Sequence, residues 1–402
     1  MRSLLLVFCA VLILGCRASD HPPSDSVPRP AAQGKGAAPV VTGAENTAAY
    51  LSDLRAQRIA VVANQASRIG QVHLVDSLLS AGIDIVRILV PEHGFRGTAD
   101  AGAHVSDGTD PRTGLPVVSL YGSNKKPTPG QLAGIDRVVF DLQDVGVRFY
   151  TYISTLHYVL EACAENDVPV TVLDRPNPNA HYVDGPVLDP AFASFVGMHP
   201  VPVVYGMTIG EYARMTNAEF LPVGLRCDLT VVPCLNYDHF TRYDLPVRPS
   251  PNLPNAIAVD LYPSLCFFEG TVVSVGRGTD RPFQIYGHPG FPADSTDIVF
   301  TPAPTEGATN PKLNGRACHG FDLRHRFRAV QELDLNHLLT AFRLHPEPAA
   351  FFLENGFFDK LAGTDALRTH VLDGWSEEAI RATWQSDLEA FRTMRARYLL
   401  YP

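Results

Sequence analysis

The residues with the clearest chemical potential follow an apolar run inside residues 136–152, which read DRVVFDLQDVGVRFYTY. The stretch 137–140 is typical of a parallel strand that is buried on both faces. Carboxylates, a guanidinium group and a phenol come directly after it, on Asp141, Asp144, Arg148 and Tyr150. Because ligands of open α/β sheets bind beyond the carboxyl ends of the strands, this pattern predicts a site at that edge of a sheet.

Other apolar runs end in polar residues in the same way. These residues are Asn64 after 59–63, then Glu92, His93 and Arg96 after 83–90, then Arg175 and Asn177 after 168–173. Surface loops are polar in any protein, so we expect about half of these side chains to orient the backbone or cap helices. The others are candidates for binding a ligand.

Glu92 is the carboxylate that best suits acid catalysis. It lies just beyond a fully apolar strand, with Pro91 before it and the flexible Gly94 after it. A carboxyl group held at the apolar mouth of a sheet loses hydration, which favours the protonated form that a general acid needs. His93 could tune that acid, donate to a substrate or satisfy the backbone.

Several reaction classes would use such a set of side chains. Glycoside cleavage needs an acid such as Glu92 and usually a second carboxylate, for which Asp141 and Asp144 are candidates. Metal-assisted hydrolysis could use His93 with Asp141 and Asp144, although no HxH or HExxH spacing is present. Nucleophilic serine chemistry would need a GxSxG turn, which is also absent. The residues alone therefore predict a hydrolase or a sugar-binding domain.

Strands that alternate with helices must position these residues. The predicted strands are 59–63, 83–90, 115–120, 137–142, 168–173 and 227–233, and the predicted helices are 73–81, 154–165, 209–220, 334–344, 351–358 and 376–398. This order predicts an α/β fold with a Rossmann-like, doubly wound, mostly parallel sheet. The first strand is followed by Asn64-Gln65-Ala66-Ser67 rather than GxGxxG, and there is no GxxxxGK[ST], so we expect no nucleotide and no cofactor.

The length and composition indicate two domains. The chain has 402 residues with 46% hydrophobic residues, and its net charge of −9 argues against a nucleic-acid partner. We interpret the Pro-rich segment 249–255 as the boundary between the two domains. This predicts a Rossmann-like domain at 47–255 and a smaller α+β domain at 256–402. Within the second domain, Gly-Arg-Gly-Thr places Arg277 and Thr279 on a turn, and Glu269 is a further acid.

The amino terminus predicts export and lipid anchoring. Residues 1–15 contain an apolar run that is too short to span a bilayer comfortably, and Gly15-Cys16 ends it. This resembles a bacterial lipoprotein signal, with lipid attached to Cys16 after cleavage. Residues 16–46 read as a flexible tether. The protein is thus expected to face the periplasm or cell envelope, and Arg17, in place of an Asp, favours the outer membrane.

Long motifs throughout the chain resemble one family. They are PEHGFRG (91–97), TGLPVVSLYG (113–122), FDLQDVGVRFYTYISTL (140–156), LDRPNPN (173–179), SPNLPN (250–255), EGT-x-x-S-x-GRGT-x-x-PF (269–283), FFDKLAGT (357–364) and YLLY (398–401). Together they resemble the bacterial exo-β-N-acetylmuramidases from about residue 47 to the end. Val272 and Val273 depart from the expected Asn-Leu after EGT, which affects the detail of a subsite rather than the reaction.

The resemblance implies a glycoside hydrolase that removes N-acetylmuramic acid (MurNAc) from the non-reducing end of peptidoglycan fragments. It implies an active site in a cleft between the two domains, with Glu92 as the catalytic acid. By position in the motifs, it also implies a group of residues that line the cleft: Asp141, Asp144, Arg148, Tyr150, Arg175, Asn177, Asn252, Arg277 and Thr279.

The substrate implied by the resemblance carries a lactyl carboxylate, for which an arginine is the natural partner. Arg148, Arg175 and Arg277 are the candidates. The 2-acetamido group of the sugar also permits substrate-assisted catalysis, so a carboxylate nucleophile, inversion and acetamido assistance all remain open. Two other functions are alternatives: a lipid-anchored muropeptide-binding protein without turnover, and a metal-dependent amidase or deacetylase.

Overall fold

The computed structural model describes residues 38–92, 94–95, 107–325 and 330–402. The predicted signal sequence, Cys16 and most of the predicted tether lie outside the described residues, as do His93 and Arg96. No helix in the described ranges is both long and apolar enough to cross a membrane.

The described residues form twelve strands, six of which follow the predicted apolar runs closely. They are β1 (Arg58–Ala63), β2 (Arg68–Ile69), β3 (Val72–His73), β4 (Asp84–Val90), β5 (Gly108–Thr109), β6 (Pro116–Ser119), β7 (Arg137–Asp141), β8 (Val170–Leu173), β9 (Leu229–Val232), β10 (Ile285–His288), β11 (Ile298–Phe300) and β12 (Cys318–Asp322). The central sheet has the order β5-β6-β4-β1-β7-β8-β9 and is parallel except at β5. Its six parallel strands therefore run 3-2-1-4-5-6, the Rossmann order, which confirms the predicted fold class.

The helices flank this sheet and build the carboxyl-terminal part. They are α1 (Leu51–Leu54), α2 (Leu74–Ser80), α3 (Pro129–Leu132), α4 (Tyr152–Glu165), α5 (Ile209–Met215), α6 (Ala256–Leu265), α7 (Asn336–Leu344), α8 (Phe357–Ala362), α9 (Ala366–Leu372), α10 (Glu377–Ala382) and α11 (Gln385–Arg395). A single π-helical turn, Thr216–Phe220, extends α5.

Successive strand residues pack into two separate cores, one on each face of the sheet. In β1, Ala60 and Val62 belong to the core that contains α4 and α5, whereas Ile59 and Val61 belong to the core that contains α2. Side chains alternate between the faces of a strand, so both faces are covered and the strands are apolar throughout. This is the doubly wound arrangement that the sequence predicts.

The carboxyl-terminal part contains a three-stranded antiparallel sheet, β10-β12-β11, surrounded by α6 to α11. Its buried residues, such as Phe267 and Leu338, belong to the same continuous core as Val138 of the central sheet. The predicted boundary at residue 255 falls on the amino-terminal cap of α6, where the Asn255 side chain accepts a bond from the Ala258 amide. The division into two domains there stays a prediction.

Helix α6 was not predicted, because Pro263 lies inside it. Proline cannot donate to the carbonyl group four residues earlier, which would leave the Val259 carbonyl without its helical partner. The side-chain amide of Asn179 lies 3.4 Å from that carbonyl oxygen and donates to it. A side chain from the LDRPNPN motif thus compensates for the proline.

Two predicted helices in the carboxyl-terminal part differ from the structure. The expected helix at 351–358 begins only at Phe357, because residues 351–353 pair with residues 270–272 instead. The Val272 amide donates to the Phe351 carbonyl group, and the Leu353 amide donates to the Gly270 carbonyl group, each at 3.0 Å. The expected single helix at 376–398 is two helices, α10 and α11, with a break at residues 383–384.

Candidate active site

A cleft of about 460 Å³ lies at the carboxyl edge of the central sheet. Glu92 enters it after β4, Tyr121 after β6, and residues 149–151 between β7 and α4. Because these strands are parallel, their carboxyl ends meet at one edge, as the sequence predicts for a ligand site. The carboxyl-terminal part contributes further lining residues, which are Tyr262, Cys266, Glu269, Arg277, Phe283, Phe357 and Leu361.

Two hydroxyl groups hold the Glu92 carboxyl group at the floor of this cleft. The Tyr121 hydroxyl donates to Oε1 at 3.1 Å, and the Thr151 hydroxyl donates to Oε2 at 3.0 Å. A hydroxyl can also accept a hydrogen bond, so these partners can orient the carboxyl group in either protonation state. Such orientation is what an acid that must reach a leaving-group oxygen requires.

The surroundings of Glu92 keep the Tyr121 phenol protonated, so that it can donate a hydrogen bond. Burial and the neighbouring Glu92 carboxylate raise the pKa of Tyr121, so its phenol remains a donor over the physiological pH range. Thr151 directly precedes α4, at the positive end of the helix dipole. The Tyr121 and Thr151 hydroxyls thus both remain available as donors to the Glu92 carboxyl group.

An ion pair from the carboxyl-terminal part also lines the cleft. Arg277 Nε lies 3.2 Å from Glu269 Oε1, and the guanidinium group lies 5.0 Å from the centre of the Phe283 ring. Burial alone would raise the pKa of Glu269, but Arg277 and Lys312 outweigh it and hold that pKa below its usual value. Glu269 is thus a second carboxylate of the cleft, and it is ionised at neutral pH.

Aromatic rings form much of the remaining wall. The Tyr262 ring packs edge-on against Phe149 and Phe283, with centroid distances of 5.4 and 4.9 Å. The ring centroids of Phe195 and Tyr121 lie 6.0 Å apart. The Lys125 ammonium group lies 4.6 Å from the centroid of the Phe195 ring. A cleft with apolar walls and a few placed polar groups is the usual form of a small-molecule site.

The predicted residues distinguish this cleft from two other depressions of the surface. Glu92, Tyr150, Asn252 and Arg277 all line it. A depression of about 570 Å³ beside α6 and α7, and another of about 250 Å³ beside residues 239–249, contain none of the predicted site residues. Within the cleft, the Tyr150 hydroxyl donates to the Pro249 carbonyl (2.8 Å) and the Asn252 amide donates to the Gly307 carbonyl (2.7 Å).

The expectation that Asp141 and Arg175 line the cleft requires correction. Both are buried, and the guanidinium group of Arg175 contacts both Asp141 oxygens, at 2.5 and 2.9 Å. Arg175 also donates to the Arg68 carbonyl at 3.1 Å. The two charges neutralise each other at the carboxyl ends of β7 and β8, so this pair stabilises the sheet edge below the cleft rather than facing the cleft.

Asp144 is also buried and does not line the cleft. Its Oδ2 accepts from the Gly146 amide at 2.9 Å and from the Tyr205 hydroxyl, while its Oδ1 has no hydrogen-bond partner among the described residues. Burial raises the pKa of Asp144 to about 6, although the Tyr205 hydrogen bond opposes the rise. The second carboxylate of the cleft is accordingly Glu269, not Asp141 or Asp144.

Arg148 lies away from the cleft as well. Its side chain is fully buried, and its terminal nitrogens donate to four carbonyl groups: Pro186 (2.9 Å), Val201 (2.6 Å), Leu361 (3.0 Å) and Ala362 (2.7 Å). Burial lowers the pKa of Arg148 to about 9. The residue joins the loops beside the central sheet to α8, and its donors are not available to a substrate.

The remaining predicted residues stabilise the loops around the site. Asn64 donates to the Tyr152 hydroxyl at 2.8 Å, and Asn177 donates to the Met207 carbonyl at 2.8 Å, both from fully buried positions. The Thr279 hydroxyl donates to the Gly276 carbonyl at 2.6 Å and so closes the turn that carries Arg277. None of these three lines the cleft.

Sequence reasoning missed several residues of the cleft. Tyr121 and Thr151 are the direct partners of Glu92, yet neither was a candidate. The signal was present for Tyr121, since it follows an apolar strand in the same way as Glu92 does. For Thr151 there was no clear signal, because the predicted helix begins at residue 154 whereas α4 begins at Tyr152. The walls formed by Phe195 and Tyr262 had no local signal, because distant segments bring them together.

No group of three or more His, Cys, Asp and Glu side chains in residues 38–92, 94–95, 107–325 and 330–402 is arranged to hold a metal ion. His93, which the metal-assisted alternative uses, lies outside these ranges. The five cysteines in the described ranges are all buried and unpaired.

Comparison with known proteins extends over nearly the whole described chain. Residues 59–257 match the amino-terminal domain, and residues 260–401 the carboxyl-terminal domain, of the family described as exo-β-N-acetylmuramidase NamZ. The chain is 40% identical to the peptidoglycan β-N-acetylmuramidase NamZ of Bacillus subtilis (strain 168) over 379 aligned residues. The alignment covers 88% of this chain and 89% of the relative.

Two crystal structures of DUF1343 family proteins from Bacteroides fragilis have the same fold. One is 44% identical with a TM-score of 0.82, and the other is 27% identical with a TM-score of 0.76. In each comparison the alignment covers 90% of this chain and 99% of the other. The matched motifs, the cleft and these likenesses lead to one conclusion: the chain belongs to the exo-β-N-acetylmuramidase NamZ family of glycoside hydrolases.

Proposed function

We propose that this protein is an exo-acting β-N-acetylmuramidase that releases terminal MurNAc from the non-reducing end of peptidoglycan fragments, with Glu92 as the general acid. The observation that carries the proposal is the position of Glu92, held by the Tyr121 and Thr151 hydroxyls at the floor of an aromatic-walled cleft. The Bacillus subtilis relative, whose name describes the same activity on peptidoglycan, supports it.

In this proposal the Glu92 carboxyl group protonates the glycosidic oxygen as the bond to the sugar breaks. The proton leaves Glu92 with the departing alcohol, water supplies the hydroxyl group of the anomeric carbon, and the proton that this water releases restores the acid form of the enzyme. Tyr121 and Thr151 are positioning residues, which hold the carboxyl group in line. Glu269 is the ionised second carboxylate of the cleft, available to stabilise positive charge that develops on the sugar ring.

The stereochemical course follows from which group meets the anomeric centre. A nucleophilic carboxylate or the 2-acetamido group of the substrate would give retention, whereas direct attack by water would give inversion. Proton NMR of the MurNAc anomer that forms first separates these courses. Loss of activity on a substrate whose acetamido group is replaced by hydroxyl would identify the acetamido route.

The test of the activity uses the disaccharide MurNAc-GlcNAc and longer glycan chains that begin with either sugar. We expect free MurNAc from the disaccharide and from chains that begin with MurNAc, and no release from chains that begin with GlcNAc. Internal fragments would contradict the exo mode. Sugar binding without release would favour the binding-protein alternative, and loss of activity in EDTA with recovery on metal addition would favour the metal-dependent one.

We also propose that the protein is an exported lipoprotein that is anchored through Cys16 in the outer membrane. The support is the sequence alone: the short apolar run, the small residue before Cys16, and the Ser- and Pro-rich segment after it. Full-length protein should fractionate with membranes, and Cys16→Ala should release it or prevent its processing. Membrane association that survives Cys16→Ala unchanged would refute the anchor.

A further inference from the structure

Three charged side chains form a cluster, of which Glu269 and Arg277 line the same cleft as Glu92 and Lys312 lies beside them. Glu269 and Arg277 are paired at 3.2 Å, and the Lys312 ammonium group lies close enough to lower the pKa of Glu269 together with Arg277. One carboxylate thus faces two cations. The cluster carries a net charge of +1, which favours an anionic ligand beside it.

Lys312 contributes charge but no free donor. Its ammonium group donates to the carbonyl groups of Phe268, Thr271 and Val273 at 2.8, 2.6 and 3.2 Å. An ammonium group has three hydrogens, so these bonds use all of them. Any anion that the cluster binds must therefore be held by Arg277.

Arg277 has donors to spare. Only Nε is bonded, to Glu269, and neither terminal nitrogen has a hydrogen-bond partner in the described part of the chain. The side chain is 20% exposed, so a ligand can reach it from the cleft. The two terminal nitrogens form the planar fork that matches a carboxylate in bidentate geometry.

The backbone fixes the direction in which Arg277 points. Gly276 and Gly278 flank it with φ angles of 77° and 78°, and Gly278 packs so closely on Ala303 and Pro311 that a Cβ there would meet them at 2.5 and 2.6 Å. Phe283 supports the guanidinium plane from one side. A preorganised arginine loses little freedom when it binds.

We propose that Arg277 binds the lactyl carboxylate of MurNAc and thereby makes the enzyme select MurNAc over N-acetylglucosamine (GlcNAc). The inference rests on the proposed function, since it names the residue that reads the substrate. MurNAc carries a 3-O-lactyl ether that GlcNAc does not have. The carboxylate of this ether would balance the net charge of +1 on the cluster. Arg277 and Glu269 also line a neighbouring depression of about 390 Å³, which leaves room for a group that projects from the sugar ring.

Of the other predicted or cleft-lining cations, Arg96 lies outside the described residues, and the rest fit this role less well. Arg148 and Arg175 use their donors on buried carbonyl groups and on Asp141. Lys125 lines the cleft on the side of Tyr121 and is a point charge above Phe195 rather than a fork. It is the competing candidate, and the experiment includes it.

The test compares kcat/KM on chromogenic β-glycosides of MurNAc and of GlcNAc for the wild type and a set of single variants. Arg277→Met should lower the MurNAc to GlcNAc ratio by about 10- to 100-fold, the range for loss of a charge-assisted bidentate contact. Arg277→Lys should retain part of the ratio. Arg281→Met is the matched control, because Arg281 shares the turn but pairs with Asp322 at 3.3 Å and does not line the cleft.

A purely structural role for Arg277 would lower both rates together and leave the ratio unchanged, and that result would overturn the inference. Since Arg277→Met leaves Glu269 without its arginine, the double variant Glu269→Gln/Arg277→Met repeats the test without the unpaired carboxylate. The inference would also be overturned if Lys125→Met lowered the MurNAc to GlcNAc ratio of kcat/KM while Arg277→Met left that ratio unchanged. Failure of the proposed function looks different: the wild type itself would release no MurNAc.

Discussion

At the scale of single residues, the site depends on how one carboxyl group is held. Glu92 owes its position to two hydroxyl groups that come from different strand ends, Tyr121 after β6 and Thr151 before α4. Parallel strands bring such residues together only once the sheet has formed. The chemistry of Glu92 therefore depends on side chains that are distant in sequence.

Tyr121→Phe tests this positioning. The ring stays in place while its hydrogen bond to Glu92 Oε1 is lost, so we expect kcat on MurNAc-GlcNAc to fall about 10-fold with KM changed less than about 2-fold. Tyr158→Phe is the control, because Tyr158 stacks beside Phe195 at 6.3 Å without a hydrogen bond to Glu92. Equal effects of the two variants on kcat would contradict the positioning role.

The motifs do not by themselves separate residues that line the cleft from residues that are buried near it. Glu92 and Arg277 reach the cleft as expected, whereas Asp141, Asp144, Arg148 and Arg175 are buried beneath or beside it. A polar residue after a strand can face a ligand or turn inward to a carbonyl or a counter-charge, and the local sequence is the same in both cases. Only the packing around the strand end decides between them.

At the scale of elements, buried polar side chains connect segments that the chain separates. Arg148 joins the loops at Pro186 and Val201 to the end of α8 through four carbonyl bonds. The terminal motif is held similarly, since the Tyr401 hydroxyl donates to Asp174 at 2.5 Å and the Leu400 amide donates to Glu211 at 2.7 Å. These motif residues stabilise the scaffold of the cleft.

Arg148→Met should therefore destabilise the protein without altering selectivity. The variant takes a donor from each of four buried carbonyl groups, of which Val201 keeps its bond from the Leu188 amide (3.1 Å), and we expect a loss of roughly 3 kcal/mol in the free energy of unfolding. Arg368→Met, which breaks the more exposed pair with Asp359 beside α8, should cost less than about 1 kcal/mol. Urea unfolding measures both. A normal stability with relaxed MurNAc selectivity in Arg148→Met would instead favour a substrate role.

Most elements were predictable because burial on both faces leaves an apolar signature in each parallel strand. The misses have physical causes. Pro263 concealed α6, since its missing hydrogen bond is compensated by Asn179 from far away in the sequence. Residues 351–353 have the apolar character of a helix but pair instead with 270–272. Ile380, Trp384, Leu388 and Phe391 do form the predicted core stripe, although the helix breaks within it.

At the scale of the whole molecule, buried titratable groups make stability depend on pH. His199 is buried and bonds to the Tyr212 hydroxyl at 2.8 Å and to His157 at 3.0 Å. Burial, and then the neighbouring His157, hold the pKa of His199 well below its usual value. Burial raises the pKa of Asp144 and Asp174 to about 6. As the pH falls, the folded chain takes up these two protons before the unfolded chain does, which stabilises the fold, whereas the excluded proton of His199 destabilises it.

The contribution of His199 can be isolated with His199→Phe. Above about pH 6.5 the histidine is neutral in the folded and unfolded chains, so its contribution to stability is constant. Below that pH the unfolded chain takes up a proton that the folded chain excludes, and the wild type loses up to about 1.4 kcal/mol per pH unit relative to the variant. Urea unfolding from pH 7.5 to 5 measures the difference. A difference that does not change with pH would show that His199 is not held neutral.

The most direct test of the account measures how the loss of Glu92 depends on the leaving group. A general acid matters for a poor leaving group such as the sugar alcohol of MurNAc-GlcNAc and hardly at all for dinitrophenolate, which leaves without a proton. We expect Glu92→Gln to lower the rate on the disaccharide by about 10²- to 10⁴-fold while release from dinitrophenyl β-MurNAc stays within about 10-fold of the wild type. Glu306→Gln, at an exposed pair with Arg248, is the control. An equal loss on both substrates, or full activity on the disaccharide, would contradict the assignment of Glu92 as the general acid.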